Sequence, residues 1–109
     1  MSDDGDGPID ISDLQAAVQR NAIFFTDHAL RQMARRHVSV DEVKSAIMSG
    51  TVIESYPDDK YSPSCLVFGT TIASRALHVV CSAPPRVRIV TVYEPDPDEW
   101  IDHRTRRAT

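Results

Sequence analysis

Apolar residues recur at helical spacing in the first half of the chain. Ser12 is predicted to cap a short first helix, and Thr26 is predicted to cap a second helix over 28–36. Ser39–Glu42 has the form of a capping box, which predicts a third helix that ends at Gly50. The first fifty residues are therefore predicted to be mainly helical.

The predicted second helix separates apolar from basic positions. At about 100° per residue, one side is expected to face a core and carries Leu30, Met33, Ala34 and His37. The opposite side is expected to face solvent and carries His28, Arg31, Gln32 and Arg35. The pattern thus predicts a basic helix face that is headed by a histidine.

From Thr51 onward the pattern becomes extended. Four runs rich in β-branched and aromatic residues are predicted strands: Thr51–Tyr56, Ser64–Gly69, Ala76–Ser82 and Arg86–Tyr93. The connections between them are short, which favours an antiparallel meander over parallel crossovers. Ile23–Phe25 is a brief extended piece, and residues 98–100 are predicted to begin a short helix after two prolines.

These elements predict an α+β fold. N-terminal helices are followed by a four-stranded antiparallel sheet meander and a short C-terminal helix. The chain divides into a flexible acidic lead over 1–11, a single domain over 12–103 and a frayed tail over 104–109. No apolar run approaches the roughly 20 residues that span a bilayer, so a cytoplasmic location is expected.

Charge is distributed unevenly along the chain. The formal net charge is −4, but residues 1–13 hold five aspartates and no Lys or Arg. Most of the basic residues are arginines, whose planar guanidinium suits phosphate groups. The local concentration of arginines therefore permits RNA binding, although the net negative charge of the whole chain does not favour it. The two cysteines, Cys65 and Cys81, indicate neither a disulfide framework nor a zinc site, and no cofactor or metal is expected.

The chain resembles a known family over roughly residues 24–100. The similarity lies in Phe25–Ala29, Met33, Arg36, Val38–Val43, Ile47, Gly50 and Ile53, and it continues in Tyr56–Pro57, Cys65–Gly69, Leu77–Val80, Ile89–Tyr93, Pro95 and Trp100. This combination resembles domain-of-unknown-function family 4258, which is similar to the RelE and BrnT ribonuclease toxins. The resemblance implies a type II toxin–antitoxin toxin that cleaves mRNA without a metal. It also implies a cognate antitoxin as partner, of the zinc-finger, helix-turn-helix type.

Three residues are candidates for proton transfer in such a reaction. RNA cleavage without a metal needs a base, an acid and a cation that stabilises the charge developing on the phosphate. His28, His78 and Tyr93 can supply the first two. Each also has a structural interpretation: His28 as a residue that bonds the helix start, His78 as a buried residue of a strand, and Tyr93 as core packing with a solvated hydroxyl.

The candidate RNA-binding residues are Arg31, Arg35, Arg75 and Arg88. For Arg31 and Arg35 the commoner interpretation is a solvated helix face paired with carboxylates. Two other functions remain open for the same fold: a protein-interaction module without enzymatic activity, and an RNA- or DNA-binding regulator. The sequence does not define the oligomeric state.

Overall fold

A computed structural model describes residues 9–60 and 62–108. Its three helices are α1 (Ile11–Gln19), α2 (Asp27–Arg36) and α3 (Val40–Met48). Thr26 accepts a hydrogen bond from the backbone N–H of Ala29, and Ser39 and Glu42 form the predicted capping box. The cap predicted for α1 is wrong. Asp10 caps this helix instead, because its carboxylate accepts a hydrogen bond from the backbone N–H of Ser12.

The sheet has five strands and is mixed, not four-stranded and antiparallel as predicted. Its strands are β1 (Ile23–Phe25), β2 (Thr51–Tyr56), β3 (Ser64–Thr70), β4 (Ala76–Ser82) and β5 (Val87–Tyr93), in the spatial order β1-β5-β4-β3-β2. The four predicted strands do form an antiparallel meander. The segment Ile23–Phe25, predicted only as a brief extended piece, is β1 and pairs in parallel with β5. Its place in the sheet was not predicted because three residues are too few to show an alternating pattern.

The predicted C-terminal helix is also wrong. After a single turn, the chain forms a two-stranded ribbon of β6 (Trp100–Ile101) and β7 (Thr105–Arg106). The connection reverses direction at Asp102 and His103, which both have positive φ angles, a conformation that Asp and His adopt more readily than most residues. The second strand of this ribbon falls within the segment predicted as a tail.

All three helices pack on one face of the sheet. The core between them includes Leu14 and Ile47 from the helices and Val67 and Val79 from the strands. Helix α3 approaches β3 most closely at Gly69, where an added Cβ would lie 1.8 Å from a backbone oxygen of α3. Glycine is therefore required there for the helix to reach the sheet.

Helix α2 is rotated from its predicted orientation. Ala29 and Met33 are buried, whereas Leu30 is 45% exposed. Gln32 turns toward β5, and its Oε1 accepts a hydrogen bond from the backbone N–H of Val92 at 2.9 Å. β1 ends at Phe25 and leaves the last residues of β5 without a strand neighbour on that side. The helix takes the orientation in which Gln32 accepts a hydrogen bond from the backbone N–H of this edge.

Candidate functional site

The sheet face away from the helices, called here the outer face, carries three of the predicted site residues: His78, Tyr93 and Arg88. Ile23 and Phe25 pack toward the helices together with Val87 and Ile89 of β5. Side chains alternate along a strand, so Phe24 and Arg88, which are register partners, project to the outer face. One end of this face is open, and the other end is covered by the β6–β7 ribbon.

The open end contains a concavity of about 440 Å³. Its described lining residues are Thr26, His28, Asp59, Ser62, Ser64, Ser82, Arg88 and Val90. Volumes of this size are typical of small-ligand sites. The concavity brings together two residues predicted from the sequence on separate grounds, His28 as an acid–base group and Arg88 as a phosphate ligand.

Local structure positions each wall of the concavity. Because Thr26 caps α2, His28 lies in the first turn of the helix with its side chain exposed. The floor is formed by Ser64 and Ser82, which are buried register partners on β3 and β4. Ser82 Oγ accepts a hydrogen bond from the backbone N–H of Arg88 at 2.8 Å, which fixes the strand that carries this arginine.

Asp59 enters the concavity from the loop between β2 and β3. Its Oδ2 accepts a hydrogen bond from Ser64 Oγ at 2.6 Å, and its Oδ1 accepts one from the backbone N–H of Lys60 at 2.8 Å. These bonds, with that from Ser64 the stronger influence, lower the pKa of Asp59. The concavity therefore contains a fixed carboxylate as well as an arginine.

An exposed aromatic ring lies beside the concavity. Phe24 is 49% exposed on the edge strand β1, next to Arg88 in the sheet register. The guanidinium carbon of Arg86 lies 5.7 Å from the centre of the Phe24 ring. Exposed aromatic rings flanked by arginines are typical of surfaces that bind unpaired bases. Phe24 was not predicted as a site residue, because nothing in the sequence distinguishes it from the apolar residues on either side of it.

His78 and Tyr93 lie together at the covered end of the outer face. His78 is fully buried, and its Nε2 lies 2.6 Å from the backbone oxygen of His103 in the ribbon turn. A carbonyl oxygen only accepts, so Nε2 carries the proton and Nδ1 accepts from the Tyr93 hydroxyl at 3.1 Å. Trp100 packs edge-on against the imidazole, with ring centres 4.5 Å apart. Burial lowers the pKa of His78 and raises that of Tyr93.

A second set of polar side chains holds the ribbon against β2. Arg106 Nε donates a hydrogen bond to Glu54 at 2.8 Å, and Glu54 also accepts one from the Tyr56 hydroxyl at 2.5 Å. Burial would raise the pKa of Glu54, but the bonds from Tyr56 and Arg106 outweigh it and leave that pKa lowered. Burial, followed by the bond to Glu54, raises the pKa of Tyr56 to about 12. These contacts were not predicted from the sequence, because Arg106 lies 52 residues from Glu54 along the chain.

The remaining predicted arginines lie in two different settings. Arg31 and Arg35 are exposed on α2 on the same side as His28, and neither forms an ion pair with any residue in the described part of the chain. Arg75 instead ties elements together. It pairs with Glu94 at 2.9 Å and donates hydrogen bonds to the backbone oxygens of Arg36 and His37 at the end of α2. It is therefore not on the outer face with Arg88.

Within residues 9–60 and 62–108, no three His, Cys, Asp or Glu residues are grouped so as to hold a metal ion. None of the helices described is both long and apolar enough to cross a membrane. Cys65 and Cys81 are register partners on β3 and β4 and are buried as free thiols in the core.

Comparison with known proteins identifies the family. No curated protein and no solved structure shows a significant match to the chain. Residues 25–94 match the family described as Domain of unknown function (DUF4258). The matched range begins on β1 and ends just after β5, so it includes Arg88 and His28 as well as His78 and Tyr93. The chain belongs to the DUF4258 family.

Proposed function

We propose that the protein is a metal-independent endoribonuclease of the toxin–antitoxin type, which acts on mRNA in the cytoplasm. The observation that carries this proposal is that His28 and Arg88 line one open concavity. An acid–base side chain and a phosphate-binding side chain therefore lie in the same accessible space. An exposed aromatic ring, Phe24, lies beside them for an unpaired base.

In the proposed reaction, the RNA supplies its own nucleophile. Neutral His28 takes the proton of a ribose 2′-hydroxyl, and the 2′-oxygen attacks the adjacent phosphorus. The bond from phosphorus to the 5′-oxygen breaks, and that oxygen takes a proton from water. The hydroxide that remains takes the proton from His28, which restores water and the base. Arg88 holds the phosphate and stabilises its developing negative charge. The products are a 2′,3′-cyclic phosphate and a 5′-hydroxyl end.

The proposed path of the RNA follows the exposed arginines. His28, Arg31 and Arg35 lie within about 60° of one another around α2 at 100° per residue. A single strand that runs along this side of the helix enters the concavity at its histidine end. Flanking nucleotides can stack on Phe24 between the guanidinium groups of Arg86 and Arg88.

His78 and Tyr93 are the alternative acid–base pair for this reaction. Both ring nitrogens of His78 are engaged in hydrogen bonds, and its side chain has no exposed surface. RNA can reach this pair only after the ribbon leaves the sheet. Since the His28 concavity is accessible without such a movement, we assign the proton transfer to His28.

A cognate antitoxin is the proposed partner, and its proposed action is to cover the concavity. The antitoxin would then contact both sides of the concavity, that is, α2 and the β2–β3 loop. The antitoxin should compete with RNA for the protein, which a displacement assay with labelled single-stranded RNA measures.

The test compares wild type with His28→Asn, both in a bacterium and as purified protein. Induced wild type is expected to arrest growth and to create transcript ends with 5′-hydroxyl groups, and His28→Asn is expected to do neither. His37→Asn is the matched control, because His37 is also exposed but does not line the concavity. Arg88→Gln is expected to weaken RNA binding, with Arg20→Gln as its control.

Two results would favour one of the other two functions. Wild type that binds RNA without cleaving it, and whose affinity falls in Arg31→Gln and Arg35→Gln with a smaller dependence on salt, indicates a non-catalytic regulator. Wild type that neither cleaves nor binds RNA while soluble and folded contradicts the proposal and leaves the protein-interaction module.

A further inference from the structure

The concavity carries opposite charge at its two sides. Arg88 projects from β5, beside His28 of α2, whereas Asp59 is bonded to Ser64 on β3. Strands β5 and β3 are separated by β4 alone, so the two sides are about 10 Å apart at the usual strand spacing. A ligand that fills this space needs an anionic group at one end and hydrogen-bond donors at the other. A nucleotide has this form, with a phosphate at one end and a base edge at the other.

The state of Asp59 suits recognition better than proton transfer. Each of its carboxylate oxygens already accepts one hydrogen bond, from Ser64 Oγ or from the backbone N–H of Lys60, and keeps a lone pair for a ligand. Those bonds lower the pKa of Asp59, which makes it a weak general base. A carboxylate fixed by two bonds is an oriented acceptor pair that needs no further ordering when a ligand binds.

We propose that Asp59 selects guanine, with its two oxygens accepting hydrogen bonds from N1–H and N2–H of the base while the phosphate lies on Arg88. This inference rests on the proposed function, because it places an RNA phosphate in the concavity. Guanine alone presents two adjacent donors on its Watson–Crick edge. The other three bases place an acceptor beside their donor on that edge, and a carboxylate repels it.

The experiment measures the affinity of wild type for the four nucleoside 3′-monophosphates by calorimetry. We expect guanosine 3′-monophosphate to bind about tenfold or more tightly than the other three, as is usual for a bidentate base contact. Asp59→Asn should abolish this preference, since an amide offers only one acceptor. It keeps an oxygen that can accept from Ser64, so the loop can stay in place. Asp58→Asn is the control, because it removes a neighbouring exposed carboxylate that does not line the concavity.

The outcomes separate this inference from the proposed function. Equal affinity of wild type for the four nucleotides, or a guanine preference that persists in Asp59→Asn, overturns the role of Asp59. Cleavage of RNA after all four bases also overturns the role of Asp59, but it supports the proposed endoribonuclease activity. Guanine preference lost in Asp59→Asn and kept in Asp58→Asn supports the inference, even where no RNA is cleaved and the proposed function has failed.

Discussion

Replacing His78 with alanine separates a structural role of this histidine from a catalytic one. The substitution removes the hydrogen bonds to Tyr93 and to the backbone oxygen of His103, which together contribute about 2 kcal/mol at the usual value for each bond. It also removes the edge-on contacts of the imidazole with Trp100 and Tyr93, worth about 1–2 kcal/mol. We expect the free energy of unfolding to fall by about 3–4 kcal/mol, a large share of the roughly 5–15 kcal/mol typical of a domain.

Urea unfolding followed by tryptophan fluorescence measures this loss directly. Trp100 is the only tryptophan of the chain, and its ring lies against His78, so its emission reports on the ribbon as well as on global unfolding. RNA cleavage is then measured under conditions in which the variant is folded. If His78 only holds the ribbon, folded His78→Ala retains most of the cleavage. A folded variant that is inactive refutes this reasoning and moves the proton transfer to His78.

The pH dependence of stability gives a second measurement on the same residue. Burial lowers the pKa of His78 below its unfolded value of 6.5. The hydrogen bond to the backbone oxygen of His103 and the charge of Glu54 oppose this shift, and the electrostatic influence of the His103 and Arg106 side chains reinforces it. The unfolded chain therefore binds a proton more readily than the folded one, and stability is lost as the pH falls below about 6.5. His78→Gln should flatten the curve in this range. An equal slope in both proteins would falsify the assignment to His78.

Three further substitutions test the contacts that hold the framework. Gly69→Ala should cost about 3 kcal/mol or more, because its Cβ would meet the backbone oxygen of Ala46, and urea unfolding measures the loss. Glu54→Gln should cost less than about 1 kcal/mol, since Arg106 is 61% exposed, and the difference from wild type should shrink in high salt. Arg75→Gln should lower stability by about 1–2 kcal/mol without changing RNA affinity, and a lower affinity would place Arg75 in the binding surface.

Local signals predicted the elements that depend on neighbouring residues. The capping box at Ser39–Glu42 and the cap at Thr26 are interactions within three or four residues, and both were found. The runs Thr51–Tyr56 and Ala76–Ser82 are strands with the predicted bounds, since their composition and flanking turns define them locally. These features could be predicted because the interactions that cause them join residues close together in the sequence.

Features that depend on distant partners could not be predicted in this way. The strand at Ile23–Phe25 exists because β5 lies beside it, and the outward position of Leu30 follows from the bond of Gln32 to the same strand. The ribbon depends on His78, about 25 residues earlier, for the hydrogen bond that holds its turn. In each case the deciding contact joins two segments that are distant in the sequence and come together only when the chain folds.

The positions of the arginines explain how a chain of net negative charge can present a basic surface. Arg75 and Arg106 pair with carboxylates of the framework, and Arg104 lies over the ring of Phe68.

Four of the arginines without such a carboxylate partner among the described residues lie on α2 or at the β1–β5 edge, on the side of the concavity: Arg31, Arg35, Arg86 and Arg88. A phosphate chain responds to charge within about one Debye length, roughly 8 Å at physiological salt. A phosphate in the concavity therefore responds mainly to the charged side chains that line it, which among the described residues are Arg88 and Asp59. A single carboxylate inside such a surface would select a base edge while the arginines around it hold the backbone.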